Sequence, residues 1–187
     1  DRVRISSPRA VQIAKQMGMD VIMLTGDRKE AAQTTADKVG IQTVYSGVKP
    51  DQKAEHIRRL QAEGRTVAMV GDGINDAAAL STADVGIAMG AGSDIALEAA
   101  DFVLLRNDLI DAVSSLQLGK ATMSRIHTNL GWAFMYNVIG IPLAMGLMLP
   151  FTGFLLPPAF AAAAMSLSSV SVVGNSLLLR WWKPFEA

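Results

Sequence analysis

Cysteine is absent from the 187 residues, so disulfides are excluded and any thiolate metal chemistry has to come from residues outside this chain. Charge bias is absent too. Its 17 Lys+Arg stand against 17 Asp+Glu, which leaves no basic field to attract nucleic acid and no acidic tail. The opening "DRVRISSPRA" lacks the apolar core of a signal peptide and reads as a chain joined midway. The most informative gap is local: from Ile126 through Leu179 there is no Asp, Glu, Lys or Arg, a run that no soluble domain needs. A hydrocarbon span takes about 20 mainly apolar residues, and two such lengths fit here, at about 130–149 and 159–179, separated by "PFTGFLLPP". Lys120 and Arg125 precede the run, Arg180 and Lys183 follow it, and the connecting loop is uncharged. The positive-inside rule therefore puts both ends in the cytoplasm, with Trp181 and Trp182 at the headgroup level. The expected organisation is a soluble domain over residues 1–112, then a stalk helix and two membrane helices over 113–187.

The soluble part alternates short apolar runs with longer helical patterns. "VIML" (Val21–Leu24), "VAMV" (Val67–Val70), "VGIAM" (Val85–Met89) and "FVLL" (Phe102–Leu105) are too short for helices and too uniformly apolar for a half-exposed sheet, so they read as buried parallel strands. Helices are expected over Pro8–Gly18, Lys29–Val39 and Asp51–Glu63, from capping serines, Pro50 and terminal glycines. The class is α/β with an open parallel sheet.

Ligands of such sheets bind outside the carboxyl ends of the strands, and two polar motifs sit there: "TGD" (Thr25–Asp27) after "VIML" and "GDGIND" (Gly71–Asp76) after "VAMV". Carboxylates so close together repel unless a positive group lies between them, and glycines let backbone approach it. The spacing aims Thr25, Asp72, Asn75 and Asp76 at one crevice, where N–H groups and a hydroxyl can hold phosphate and a carboxylate can hold Mg²⁺. "TGD" alone also fits a turn, and Asp27 also fits a cap of the Lys29 helix. Lys53, in "KPDQK", lies in the first turn of its helix, where a cation opposes the helix dipole. It is either solvated or paired with an anion such as phosphate.

"MLTGD", "KPDQK" and "MVGDGINDAAAL", in that order and followed by a membrane hairpin, resemble the C-terminal portion of a P-type ATPase. The resemblance implies a partial haloacid-dehalogenase-like fold, with Thr25, Gly26, Asp27, Lys53, Asp72, Asn75 and Asp76 at the catalytic site. Thr25 and Gly26 would hold the transferred phosphoryl group, Lys53 would neutralise it, and Asp72 would take Mg²⁺ with support from Asn75 and Asp76. "FMYNVIGIP" and "AAAAMSLSSVSVVGNSLLL" look like the copper(I) branch of the heavy-metal members, which makes Tyr136, Asn137, Met165, Ser168 and Ser169 the transport-site candidates. Met165 and Ser169 are i, i+4 on a helix, and a thioether is a soft donor suited to Cu(I). Packing is the alternative for these residues and for Met135, Met145 and Met148, and Gly140 with Pro142 reads as a kink.

Absent are the "DKTGT" phosphorylation motif, the "TGE" loop, a nucleotide-binding domain and the membrane "CPC" pair of that family. The chain is thus expected to be the last part of a copper(I)-exporting pump, and not to hydrolyse ATP alone. The implied cofactors are Mg²⁺ and ATP, the latter bound mainly outside this chain, with Cu⁺ as cargo. The implied partners are the nucleotide-binding and actuator domains, the earlier membrane helices, the bilayer and a copper chaperone; no nucleic acid is expected. The expected location is the plasma (bacterial inner) membrane. The rival readings are a zinc or other divalent-metal pump, and a non-catalytic membrane-anchored module that binds phosphate or Mg²⁺.

Overall fold

A computed structural model describes residues 3–71, 75–90, 98–153 and 157–184. The chain divides into two compact units, one reaching Ser115 and the other running from Leu116 to Pro184.

The first unit is α/β. Its elements are α1 (Ser7–Gln16), β1 (Ile22–Leu24), α2 (Lys29–Val39), β2 (Thr43–Tyr45), α3 (Pro50–Ala62), β3 (Ala68–Gly71), α4 (Ala77–Thr82), β4 (Val85–Met89) and β5 (Phe102–Leu104). All strand pairs are parallel, as expected, but among the described residues they form two sheets, β1–β2 and β3–β4–β5. β2 escaped the sequence reading because "TVY" exposes two of its three side chains and forms no apolar run. The expectation of uniformly buried strands holds for the middle of β4 only. β1 is half-buried throughout and Phe102 of β5 is exposed, because β1 and β5 each hydrogen-bond to one neighbour.

The core explains the layering. Ile57 of α3 and Leu80 of α4 are 1% exposed and pack with Met69 of β3 and Ala88 of β4; burying each large aliphatic side chain is worth about 1.5–3 kcal/mol. A second cluster joins Val11 of α1, Ala36 and Val39 of α2, and Ile41. Between β3 and β4, Asp84 accepts a hydrogen bond from Val67 N–H at 2.7 Å, and that bond holds its carboxyl below the usual range. Asp108 accepts from Ile110 N–H at 3.0 Å at the start of the next helix, which lowers its carboxyl likewise.

That helix, α5, runs unbroken from Leu109 to Ala144, so the expected stalk and the first expected span are one element. It ends short of Leu149 because backbone at Gly146 turns left-handed, φ 90°; Pro142 lies inside the helix. A short connection containing α6 (Leu149–Thr152) leads to α7 (Pro158–Leu177) and a 3₁₀ turn, Leu178–Trp181. Among the described residues, one stretch, Ala162–Trp181, is helical and apolar enough to cross a membrane by length and composition. The polar Asn129, Tyr136 and Asn137 and the glycines Gly131 and Gly140 lower the apolar character of α5.

In the second unit the half-buried positions of α5 include Arg125, Asn129, Ala133, Tyr136 and Gly140. Those of α7 include Ala164, Ser168, Ser171, Val172 and Asn175. Both sets recur every three or four residues, so the half-buried positions of each helix fall on one face, here called the seam. Direct side-chain bonds cross that seam between Arg125 and Asn175, Asn129 and Asn175, and Asn129 and Ser176. The connection between the helices is short, so they run antiparallel.

Candidate functional site

In the first unit the polar motifs fall at the carboxyl ends of β1 and β3. The "TGD" loop is tied to the segment entering α3: Val48 N–H donates to Thr25 O at 3.0 Å and Gly47 N–H to Asp27 O at 2.9 Å. Within the loop, Asp27 N–H donates to the Thr25 hydroxyl at 3.1 Å. Asp27 does not cap α2, whose N-cap is Arg28 with no side-chain cap bond; the capping alternative is thereby excluded. Gly47 and Val48 were missed in the sequence. Their signal was turn chemistry, since Gly47 adopts φ 67° immediately before the "KPDQK" helix.

Lys53 is not a solvated lysine. Its Nζ donates to Asp76 Oδ1 at 2.6 Å, with the two side chains 14% and 11% exposed. The cation in the first turn of α3, placed against its helix dipole, is compensated by the last carboxylate of "GDGIND". Contacts thus run from the "TGD" loop through the start of α3 to Asp76. Asn75 is exposed at the same loop, while Asp72 lies outside the described residues.

The role of one glycine is visible here. A Cβ on Gly71 would stand 2.5 Å from Asp76 Oδ2 and 2.8 Å from Asp76 Cβ, closer than atoms approach, so the buried carboxylate occupies the space that any other residue would fill. Gly71→Ala is expected to push Asp76 off Lys53 and cost about 1–3 kcal/mol. The unfolding midpoint in denaturant checks this; a midpoint like that of the unaltered protein would mean that Asp76 can give way freely.

A hard cation suits this loop. Mg²⁺ takes one or two carboxylates and keeps several waters, and Asp76 supplies hard oxygen in the space that Gly71 leaves beside its backbone. Among the described residues no group of three His, Cys, Asp or Glu gathers, and such sparse coordination needs none.

The amino ends of β1 and β3 are also linked: Asp20 and Arg65, just before them, pair at 3.0 Å. A cleft of about 580 Å³ opens there, lined by Asp20, Ile22, Tyr45, His56, Leu60 and Arg65 among others. Among the described residues β1 and β3 each pair on one edge only.

In the second unit, Tyr136 and Ser168 are half-buried, whereas Asn137, Met165 and Ser169 are exposed, Met165 at 68%. Tyr136 packs against Trp132 one turn back, with ring centroids 6.4 Å apart. Asn137 donates to Ala133 O at 2.8 Å and the Ser169 hydroxyl to Met165 O at 3.4 Å. These hydrogen bonds stay within their own helices, so the two helices do not by themselves close a set of donors around an ion.

Residues 1–84 match the haloacid dehalogenase-like hydrolase family. The probable copper-transporting ATPase PacS of Synechocystis sp. is 52% identical over 184 residues, 98% of this chain and 25% of that protein. The copper-exporting P-type ATPase of Vibrio cholerae is 50% identical over 183 residues, 98% of this chain and 20% of that protein. Among solved structures, a zinc-transporting PIB-type ATPase in the E2.Pi state superposes with a TM-score of 0.82 at 34% identity, covering 96% of this chain and 28% of that one. The chain therefore spans a quarter or less of the length of the curated relatives it matches.

Proposed function

Because the chain belongs to the heavy-metal P-type ATPases, we propose that it is the C-terminal part of an ATP-driven copper(I)-exporting pump, supplying a phosphate and Mg²⁺ site and part of an intramembrane metal site. The observation that carries the choice of copper is the donor set. The run from Ile126 to Leu179 offers thioether, hydroxyl, phenol and amide groups, one imidazole (His127, at its start) and no Asp, Glu, Lys or Arg, so a strongly hydrated cation finds little to replace its water, while Cu(I) finds a soft sulfur.

Helix geometry supports a common site. Asn137, Met165 and Ser169 each follow a seam position by one residue, Tyr136, Ala164 and Ser168 respectively, and so lie about 100° round their helices from the seam. On antiparallel helices the two rotations lead to the same side of the hairpin. The exposure of these donors then marks the face that earlier membrane helices of the pump would cover and complete.

In the first unit, the Thr25 hydroxyl and the Gly26 N–H would hold phosphoryl oxygens. Lys53, fixed by Asp76, would set a positive charge beside them. Asp72, with Asn75 and Asp76, would hold Mg²⁺, which when bound offsets the charge of the phosphoryl group. The attacking aspartate belongs to a segment outside this chain. The unpaired edges of β1 and β3, linked at one end through Asp20 and Arg65 and at the other through α3, suit a parallel strand that brings it. α5 would carry the resulting movement toward the metal donors.

The zinc reading draws support from the structural likeness to a zinc-transporting enzyme. The intact pump, purified and reconstituted, separates the two: ATP hydrolysis stimulated by Cu(I) and not by Zn²⁺ is expected, and Asp72→Asn should abolish phosphoenzyme formation. Stimulation by Zn²⁺ alone would overturn the copper assignment. Normal phosphorylation in Asp72→Asn would favour a non-catalytic role for the loop.

A further inference from the structure

The seam between α5 and α7 holds a chain of directed hydrogen bonds for which transport, as proposed above, has no use. Arg125 Nη1–H donates to Asn175 Oδ1 at 2.6 Å, Asn175 Nδ2–H to Asn129 Oδ1 at 2.7 Å, and Asn129 Nδ2–H to Ser176 Oγ at 2.8 Å. The Ser176 hydroxyl then donates to Val172 O at 2.8 Å. Arg125 and Asn129 are i, i+4 on one helix face, and Asn175 and Ser176 are adjacent on the other helix, so the whole chain occupies a single level of the hairpin. Both asparagines are half-buried, and each uses oxygen and nitrogen at once.

Away from this level the polar side chains turn to their own helices. Asn137 bonds Ala133 O, Ser169 bonds Met165 O, Ser166 bonds Ala162 O and Ser171 bonds Leu167 O. Between the pinned level and the loop, the half-buried positions are largely small or apolar: Ala133, Tyr136 and Gly140 on α5 and Ala164 and Ser168 on α7. Small smooth faces pack closely but slide and rotate with little to choose among registers. The amide chain does choose, because a shift of one turn, about 5.4 Å, would separate every donor from its acceptor.

Register matters for the candidate donors. Asn137 lies eight residues beyond Asn129, about 12 Å along α5. Going from Asn175 in the same physical direction, Ser169 and Met165 lie six and ten residues away, about 9 and 15 Å along α7. The mean of the two α7 depths equals that of Asn137.

We propose that Arg125, Asn129, Asn175 and Ser176 form a register pin, a set of positioning residues that holds Asn137 level with Met165 and Ser169 and so sets metal affinity; this rests on the transport reading above. The pin sits at the end of the hairpin that the flanking charges assign to the cytoplasm, where the guanidinium of Arg125 can stay hydrated on its free side. Its neutral members tolerate the low dielectric beyond because each both donates and accepts a hydrogen bond.

Two measurements test it. The first uses this cysteine-free chain in lipid nanodiscs, with Leu147→Cys and Phe160→Cys carrying spin labels near the loop end. Asn129→Leu and Asn175→Leu are expected to broaden or shift the label-to-label distance, whereas Asn175→Asp, which keeps the acceptor for Arg125 and can accept from Asn129 once that amide flips to present its nitrogen, is expected to retain it. An unchanged distribution in both leucine variants overturns the pin. The second uses the intact pump and competition with a Cu(I) chelator. The leucine variants should lose about tenfold in Cu(I) affinity, as outer-shell changes at metal sites do, with phosphorylation by inorganic phosphate in metal-free enzyme unaltered and Asn175→Asp within about threefold of the parent. Equal loss of both activities would reduce the residues to general packing and overturn the positioning role, as would altered distances with unaltered affinity. If the unmodified pump binds no Cu(I), the transport reading itself fails; the distances, which need no metal, tell that outcome apart.

Discussion

Lys53→Met in the intact pump is expected to lower phosphoenzyme formation by about 10²–10³-fold, the usual loss when one preorganised charge is taken from a site where negative charge develops. It should also destabilise the first unit by about 3 kcal/mol, because Asp76 would be left as a nearly buried carboxylate without its cation. The two effects can be separated. Lys53→Met combined with Asp76→Leu removes both charges, and apolar replacement of a buried ion pair is often neutral; most of the stability should return while phosphorylation stays lost. Denaturant unfolding reports the first quantity and acid-stable incorporation of phosphate from ATP the second. If the double variant regains phosphorylation along with stability, or if Lys53→Met phosphorylates normally, Lys53 is only the structural partner of Asp76.

Met165→Leu should weaken Cu(I) binding by about 100-fold, since loss of a direct donor costs no less than the 10–100-fold typical of outer-shell changes. Leucine retains the volume and apolar character of methionine and removes only the sulfur. The side chain is 68% exposed, so little packing within the hairpin is at stake and expression and unfolding should be near those of the parent. ATP binding, which uses other parts of the pump, should be spared. Copper-stimulated turnover equal to that of the parent would remove Met165 from the transport path.

The sequence made several of these features visible and hid others for identifiable reasons. β4 was read to its ends, Val85–Met89, because its middle is buried on both faces and its composition reports that directly. β2 was hidden because a strand with an exposed Thr43 and Tyr45 has no apolar signature. α4 was hidden because "AAAL" within "GDGINDAAAL" looked like the tail of a loop motif. The resemblance assigns Lys53 to phosphate and Asp76 to Mg²⁺, each on its own. Their partnership spans 23 positions, a relation that only tertiary packing of α3 against the loop after β3 creates.

In the hairpin, composition alone marked the uncharged run, but the end of α5 depended on the left-handed turn at Gly146 rather than on apolar length. Asn129 and Asn175 passed unnoticed because each looked like an isolated polar residue. Their shared distance from the connecting loop was the legible clue, since antiparallel helices bring equidistant positions side by side. Tyr136 and Asn137 stand out in the sequence as polar groups within an apolar run; in the structure Tyr136 is half-buried and Asn137 exposed.

The half-paired edges of β1 and β3 have a practical corollary for anyone producing this polypeptide by itself. An edge of free amides and carbonyls is a template for strand addition, and among the described residues these are two of four such borders in the unit, β2 and β5 carrying the others. The molecule is thus suited to fragment complementation: a segment supplied in trans could dock by main-chain pairing, and in its absence the same borders are the sites at which neighbouring copies would stick.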